Sequence, residues 1–424
     1  MAAPMHACLK PKPNIINEDF MTMLSPVSAK APTAVTHPEV SLLLCCTRTC
    51  IDTATVEQIK ILLQQDIDWT YLIQIAIWHK VMPLLYWNLN ATCPEAVPKN
   101  ILAQLRQYFH TNAQHNWLLS AELLNILNLL STNNIRAIPY RGPVLAASVY
   151  NNLSLRQISD LDILVHKQDF LKTKNLLISH GYRLIQQLSW EHHFVHEHSK
   201  VNVDLHQGIA DSNYFPSLDF DRLWQRVQPL SLAGTMVVNL SKEDLLLILC
   251  MQLFKDYWDW MGQQKLAQIC DIAELLRIHE KMDWEGVMQQ AKTLGIQRVL
   301  FLGLLLAKDL LGTALPDQVL QKVQSDAVVQ AIAKAVRFRL FFFCKVNGLP
   351  QPLKRFLFYI KARERLQDRV WYFLTYIAPS QEDLEFLPLP SRLYFLYYLI
   401  RPPRLVGKYS LRLLSLRFCH KEAL

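Results

Sequence analysis

Asp160 and Asp162 stand one residue apart just ahead of an apolar run, in the stretch RGPVLAASVYNNLSLRQISDLDILV covering residues 141–165. On a β-strand alternate side chains share a face, so both carboxylates point one way while Leu161 and Ile163 point into a core. Two carboxylates on one strand edge make a cradle for a hard divalent cation such as Mg²⁺. That ion takes oxygen ligands and keeps positions open for water and phosphate. The chemistry suggested is phosphoryl or nucleotidyl transfer. A third acid comes from VNVDLH (201–206), where alternation sets Asn202, Asp204 and His206 on one face and Val201, Val203 and Leu205 on the other. Two metals that bind a triphosphate and orient an attacking hydroxyl need more than two acidic oxygens. Read instead as turn or helix-cap aspartates, the three acids would need no ligand.

These residues need strands, a turn and a covering layer. Residues 135–140 form a short β-prone run, followed by Arg141-Gly142-Pro143 and the helical VLAASVYNN. Gly142 permits a tight turn and Pro143 suits a first helical position, so the backbone N–H groups there are available to phosphate. A helix is predicted over 170–180, ending at Gly181, with strands over 182–188 and 201–205. Before this core, VEQIKILLQQ and DWTYLIQIAIWHKVMPLLYWNL repeat apolar residues at three- and four-residue steps, and 101–130 resumes that period after Pro94 and Pro98. After it, Ser241-Lys242-Glu243-Asp244 reads as a capping box opening a second set of helices. The fold class predicted is α+β, a small mixed sheet flanked by helical domains. The expected divisions are a flexible lead-in over 1–39, an N-terminal helical domain over 40–130, the core over 131–240, a helical domain over 241–335, and a C-terminal helical region over 336–424.

With 424 residues, 51% hydrophobic and 19% charged, the chain is long enough for a substantial core and is not a disordered protein. Eleven glycines and no fixed-period repeat exclude collagen-like, propeller and solenoid plans. The apolar runs fall short of the roughly 20 residues of a spanning helix, so no transmembrane segment is expected. Nine cysteines, with no CxxC pair, fit a reducing cytoplasm and read as small buried hydrophobes. The net charge of +8 is concentrated late: residues 337–424 hold 16 Lys/Arg against 6 Asp/Glu. A basic segment interleaved with aromatics can meet nucleic acid or an anionic membrane surface, and a solvated helix face is the plainer reading.

At this point the residues resemble the nucleotidyltransferases of the DNA polymerase β-like superfamily. Within that superfamily the chain is similar to an uncharacterised bacterial nucleotidyltransferase family marked by Lys-Gly, a Tyr, an Arg and Ser-Asp-x-Asp. The corresponding residues are Arg141-Gly142, Tyr150, Arg156 and Ser159-Asp160-Leu161-Asp162, with a downstream Asp204-Leu205-His206. Similar flanking segments are DWTYLIQIAIWHKVMPLLY, CDIAELL around Asp271, APSQEDLEFLPLP and RPPRLVGKY. Two departures stand out. Arg141 replaces the usual Lys, which keeps the charge and changes the geometry of phosphate contact, and Pro143 follows Gly142 where the wider superfamily has Ser.

The resemblance implies transfer of a nucleoside monophosphate from an NTP, with ATP the expected donor, to an acceptor hydroxyl, releasing pyrophosphate. It implies a two-metal Mg²⁺ or Mn²⁺ site on Asp160, Asp162 and Asp204, with Asp204 also assisting deprotonation. Arg141, Gly142, Arg156, Ser159 and Lys255 are the implied nucleotide-binding residues. Lys255 and Asp271 fall on helices after the core, where a surface lysine and a helix-pairing acid are the plain alternatives. Trp258 and Trp260 could stack a base or simply fill a core. The histidines of WEHHFVHEHSKVNVDLH allow zinc binding, but a polar, solvent-facing hairpin near the site is the expectation. Two competing functions are a glycosyltransferase holding a sugar nucleotide through Asp-x-Asp and an inactive binding or scaffold protein. The acceptor is not encoded in any readable motif.

Overall fold

A computed structural model describes residues 37–209, 215, 218–256, 266–341, 351–379, 381–401 and 403–404. The expected lead-in, up to residue 36, and Trp258 and Trp260 lie outside the described residues. The chain separates into two compact units, with the division between Cys344 and Lys345.

The larger unit begins with helices α1 (Pro38–Cys46), α2 (Thr53–Leu63), α3 (Trp69–Trp78), α4 (Met82–Thr92) and the 34-residue α5 (Lys99–Thr132). Acids at the helix starts accept from orphan amides: Asp52 from Thr55 N at 2.7 Å and Asp68 from Tyr71 N at 2.9 Å. The apolar period over 69–90, which reads as continuous, is interrupted at residues 79–81. Pro83 in the first turn of α4 cannot donate a backbone bond, and Lys80 turns left-handed at φ 57°.

The sheet follows. β1 (Ala137–Pro139) leads into α6 (Gly142–Tyr150), then β2 (Leu161–Val165), α7 (Phe170–Ser179), β3 (Tyr182–Gln187), β4 (Glu191–His196) and β5 (Asn202–His206). The five strands lie in the order β1-β2-β5-β4-β3, with β2 and β5 parallel and the other neighbours antiparallel. This mixed sheet flanked by helices is the predicted α+β class. Its buried side packs Leu161, Ile163, Val165, Phe194, Val203 and Leu205 against α5, through Leu119, Leu123, Ile126 and Leu130, and against Phe170 and Leu177 of α7. Apolar side chains on one face and polar ones on the other fix strand register, because a one-residue slip would exchange the two sets.

Short helix α8 (Phe220–Gln225) precedes a hairpin, β6 (Gln228–Leu232) and β7 (Thr235–Asn239), that the sequence reading does not anticipate. Its two-residue turn has Ala233 at φ 50° and Gly234 at φ 84°, the left-handed pair that matches strand twist. Helices α9 (Lys242–Asp256), α10 (Leu266–Ile278), α11 (Trp284–Leu294), α12 (Gln297–Leu311), α13 (Asp317–Ser325) and α14 (Ala327–Phe341) complete the unit. Ser241 caps α9 as predicted: Asp244 N donates to Ser241 Oγ at 3.2 Å, and that hydroxyl donates to the Asp244 carboxylate at 2.7 Å.

The smaller unit contains α15 (Gln351–Ala362), α16 (Leu366–Ile377) and α17 (Gln381–Phe386). Tyr359 and Tyr372 fill its interior, and Arg401 pairs with Asp383 at 2.7 Å. No described helix is long and apolar enough to cross a membrane.

Candidate functional site

Parallel pairing of β2 and β5 sets Asp162 directly beside Asp204. Neither is a helix cap or a turn residue; both sit within strands, and they are 4% and 5% exposed. Their neighbours Leu161, Ile163, Val203 and Leu205 fill the core, so the apolar alternation holds the acids on the opposite face. His206, two residues beyond Asp204, shares that face, and its Nε2 lies 3.2 Å from Asp162 Oδ1. Ligand atoms of Asp162, Asp204 and His206 all fall within 4.8 Å of one another. The structure thus brings together Asp162, Asp204 and His206. Asp160, in the extended segment just ahead of β2, is outside this close group and acts on Asp162 as a like charge.

β4 closes the site from the other side. His193 lies opposite Asp204 in the antiparallel register, with Nδ1 2.5 Å from Asp204 Oδ1 and Nε2 3.3 Å from Glu191 Oε1. Glu191 in turn lies 3.3 Å from His206 Nδ1. The result is a run of alternating acid and imidazole: Asp162, His206, Glu191, His193, Asp204. The expected solvent-facing hairpin is corrected here. The hairpin forms, but Glu191, His192 and His193 are buried, because β4 is an inner strand between β3 and β5.

Burial favours the neutral forms of Asp162, Glu191 and His193, and for these three the network overrides it. Burial alone would raise the Asp162 carboxyl. The Arg141 guanidinium and the His206 hydrogen bond outweigh burial and the like charge of Asp160, holding the group below its ordinary range. For Glu191, burial is outweighed by Lys255 and by His193 and His206, which hold it well below the usual carboxylate range. His193 feels burial in the opposite sense, yet its bonds to Asp204 and Glu191 push it up to about 9. His192, lacking such partners, is pulled down to about 4 by burial and by the nearby Lys174.

The remaining expected residues divide into two groups. Gly142 holds φ 60°, and a Cβ there would come within 3.2 Å of the Asp160 carbonyl, so the turn packs directly on the Asp-x-Asp backbone. Arg141, the residue before α6, places Nη1 3.5 Å from Asp162 Oδ2. Lys255 joins through Glu191, and Ser159 accepts from Lys80 Nζ at 3.4 Å. Arg156, close enough to Arg141 to feel its charge, forks onto Asp271 of α10 with two bonds of 2.9 Å, while Tyr150 donates to the same carboxylate at 2.7 Å. Asn112 and Asn116 of α5 hold the carbonyls of Ser154, Leu153 and Arg156, pinning the segment that leads to Ser159.

Sequence reasoning missed Glu191, the contact of His193 with Asp204, Tyr140 and Lys80. Tyr140 is fully buried beside His206, with ring centroids 5.4 Å apart, and its hydroxyl has no hydrogen bond among the described residues. Asp162 Oδ2 is also buried without a hydrogen bond among the described residues, and faces the Arg141 guanidinium at 3.5 Å. A buried hydroxyl such as that of Tyr140 calls for a further partner. Two carboxylates and an imidazole suit a divalent cation, so the residues fit a metal.

Solved structures share local similarity with the chain, among them the following three. A lincomycin-bound lincosamide antibiotic adenylyltransferase, LnuA, is 21% identical over 37% of this chain and 96% of its own, at a TM-score of 0.27. The antibiotic-resistance factor ANT(2'')-Ia is 12% identical over 42% of this chain and 99% of its own, at 0.30. An antigenic nucleotidyltransferase-like protein from Paracoccidioides brasiliensis is 14% identical over 44% and 91%, at 0.26. No curated protein matches the chain. The family described as uncharacterised nucleotidyltransferase matches residues 65–312, from just ahead of α3 to the end of α12 and including every strand among the described residues, and the chain belongs to that nucleotidyltransferase family.

Proposed function

We propose that the protein is a metal-dependent nucleotidyltransferase that moves a nucleoside monophosphate from an NTP, with ATP the favoured donor, to an acceptor hydroxyl. The observation that carries this reading is the pairing of Asp162 with Asp204 across β2 and β5, within the family's matched segment. The acceptor oxygen forms a bond to the α-phosphorus, the bond from that phosphorus to the bridging oxygen breaks, and pyrophosphate leaves. The acceptor's proton passes to Asp204.

Asp162, Asp204 and His206 would hold a Mg²⁺ or Mn²⁺ ion, with Asp160 available for a second. Such ions, when bound, neutralise phosphate charge and stabilise the attacking and leaving oxygens. His193 and Glu191 orient Asp204 and His206, as outer partners of ligating side chains do. Arg141 and the amides after Gly142 face the donor's phosphates, and Ser159 and Lys255 line its approach. Arg156, committed to Asp271, supports the Ser159 segment from behind. The cysteines, without a CxxC pair, support a cytoplasmic setting.

The test is incubation with each α-labelled NTP, a cell extract and Mg²⁺ or Mn²⁺. Transfer of label with stoichiometric pyrophosphate is expected. Sugar transfer from a sugar nucleotide, with no pyrophosphate, would overturn the reading in favour of a glycosyltransferase.

A further inference from the structure

Helix α3 ends in a motif normally built around glycine. Lys80 N donates to the Ile77 carbonyl at 3.1 Å and Val81 N to the Ala76 carbonyl at 3.0 Å, while Lys80 itself turns left-handed at φ 57°. This is the Schellman pairing, whose left-handed position is usually glycine because a Cβ there is strained. The backbone bonds need no side chain at that position, so the cap does not explain a lysine.

The turn is anchored from outside. The buried His79 accepts from Leu266 N through Nδ1 at 3.2 Å and from Ala267 N through its carbonyl at 3.2 Å. Both donors open α10, the helix whose Asp271 holds Arg156 and Tyr150. One helix therefore fixes the origin of the Lys80 side chain and, about 7.5 Å along its axis, the segment that delivers Ser159. The half-buried Lys80 crosses from the N-terminal helices to the strand motif and ends 3.4 Å from Ser159 Oγ, one residue before Asp160.

We propose that Lys80 binds the triphosphate of the NTP donor, its ammonium contacting the β- or γ-phosphate beside Ser159. The proposal rests on the nucleotidyl-transfer reading. A donor triphosphate needs cationic partners beyond the metals. The guanidinium of Arg156 is held by Asp271, and the wider superfamily's serine after the turn glycine is Pro143 here. A lysine serves as a compact point charge for phosphate where planar recognition is not required. Lys80 supplies that charge from a segment which carries no part of the Asp-x-Asp motif.

Calorimetric titration of the full chain with ATP and with AMP, in Mn²⁺, tests this with Lys80→Met, Lys80→Arg and Lys80→Gly. Lys80→Met is expected to weaken ATP about tenfold or more, as loss of one charged contact does, and to leave AMP unchanged. Lys80→Arg retains most of the ATP affinity. Lys80→Gly loses ATP affinity like the Met variant while its melting temperature stays level or rises, since glycine relieves the left-handed strain. Unchanged ATP affinity in Lys80→Met, or parallel losses for ATP and AMP, would overturn the assignment alone. A wild-type protein that binds no NTP would overturn the nucleotidyl-transfer reading and this one with it.

Discussion

Two buried charged regions meet the same stretch of chain, and they are finished differently. Around Asp271, Arg156 contributes two hydrogen bonds and Tyr150 a third, so the carboxylate and the guanidinium complete each other. At the edge of β2 and β5, carboxylates and imidazoles alternate, yet the Tyr140 hydroxyl is buried without a hydrogen bond among the described residues, and Asp162 Oδ2 meets only the looser Arg141 contact at 3.5 Å. The first region is closed; the second retains capacity for a ligand. Both are under a tenth exposed, so burial does not separate them. What separates them is how tightly the protein's own groups satisfy the carboxylate, with bonds of 2.7–2.9 Å on Asp271 against the 3.5 Å Arg141 contact on Asp162 Oδ2.

The clamp gives the largest expected loss of stability. Asp271→Ala leaves Arg156 charged, buried and unpaired, a change that costs about 3–5 kcal/mol. Urea denaturation should register it. Replacing both partners, as Arg156→Met with Asp271→Leu, should recover much of the loss, because apolar groups of similar volume carry no desolvation cost. A double variant as unstable as the single one would mean that the pair does more than satisfy itself. The site should respond in the opposite currency. Asp162→Asn is expected to weaken Mn²⁺ binding about 100-fold, or about 2.8 kcal/mol, with a smaller effect on denaturation than Asp271→Ala. The free Mn²⁺ resonance signal measures this directly, and equal affinity in the two proteins would remove the metal role of Asp162.

The acids of the site were legible because strand alternation is local. In LDILV and VNVDLH the apolar residues identify the buried face, and the acids must take the other. Gly142 was legible for a similar reason, since a turn between strand and helix requires a left-handed residue. Glu191 and His193 were not. EHHFVH has no clean alternation, and only the placing of β4 between β3 and β5 buries it and sets His193 against Asp204. Arg156 carried the motif but not its partner, which lies 115 residues further on. Lys80 was hidden inside an apolar period that runs on through the break, although Pro83 marked the interruption. Local spacing reveals which face a side chain takes; the partner it meets there depends on pairings made by the whole fold.

Asn116→Ala probes the link between the two regions. Its amide holds the carbonyls of Leu153 and Arg156 at 2.5 and 2.7 Å, in a fully buried position. Removing it leaves the Leu153 carbonyl without this donor and the Arg156 carbonyl with Asn112 alone at 3.3 Å, and should cost about 1–3 kcal/mol in urea denaturation. If the segment transmits the clamp's position to the motif, Mn²⁺ affinity falls as well. Loss of stability with unchanged Mn²⁺ binding would make the clamp and the site independent.

Gly142→Ala should produce the smallest change in stability, and it separates strain from displacement. At φ 60° a side chain costs about 1–2 kcal/mol. The added Cβ would also stand 3.2 Å from the Asp160 carbonyl, tight enough that the Asp-x-Asp backbone must yield by a few tenths of an ångström. Strain alone lowers the melting temperature and leaves cation binding intact. Displacement carries Asp160 and Asp162 with it, so Mn²⁺ and ATP affinities fall further than the stability loss explains. The second outcome is expected, because the contact is with backbone, which cannot rotate aside as the end of a flexible side chain could. Wild-type affinities in the alanine variant would show that the turn and the strand motif move separately.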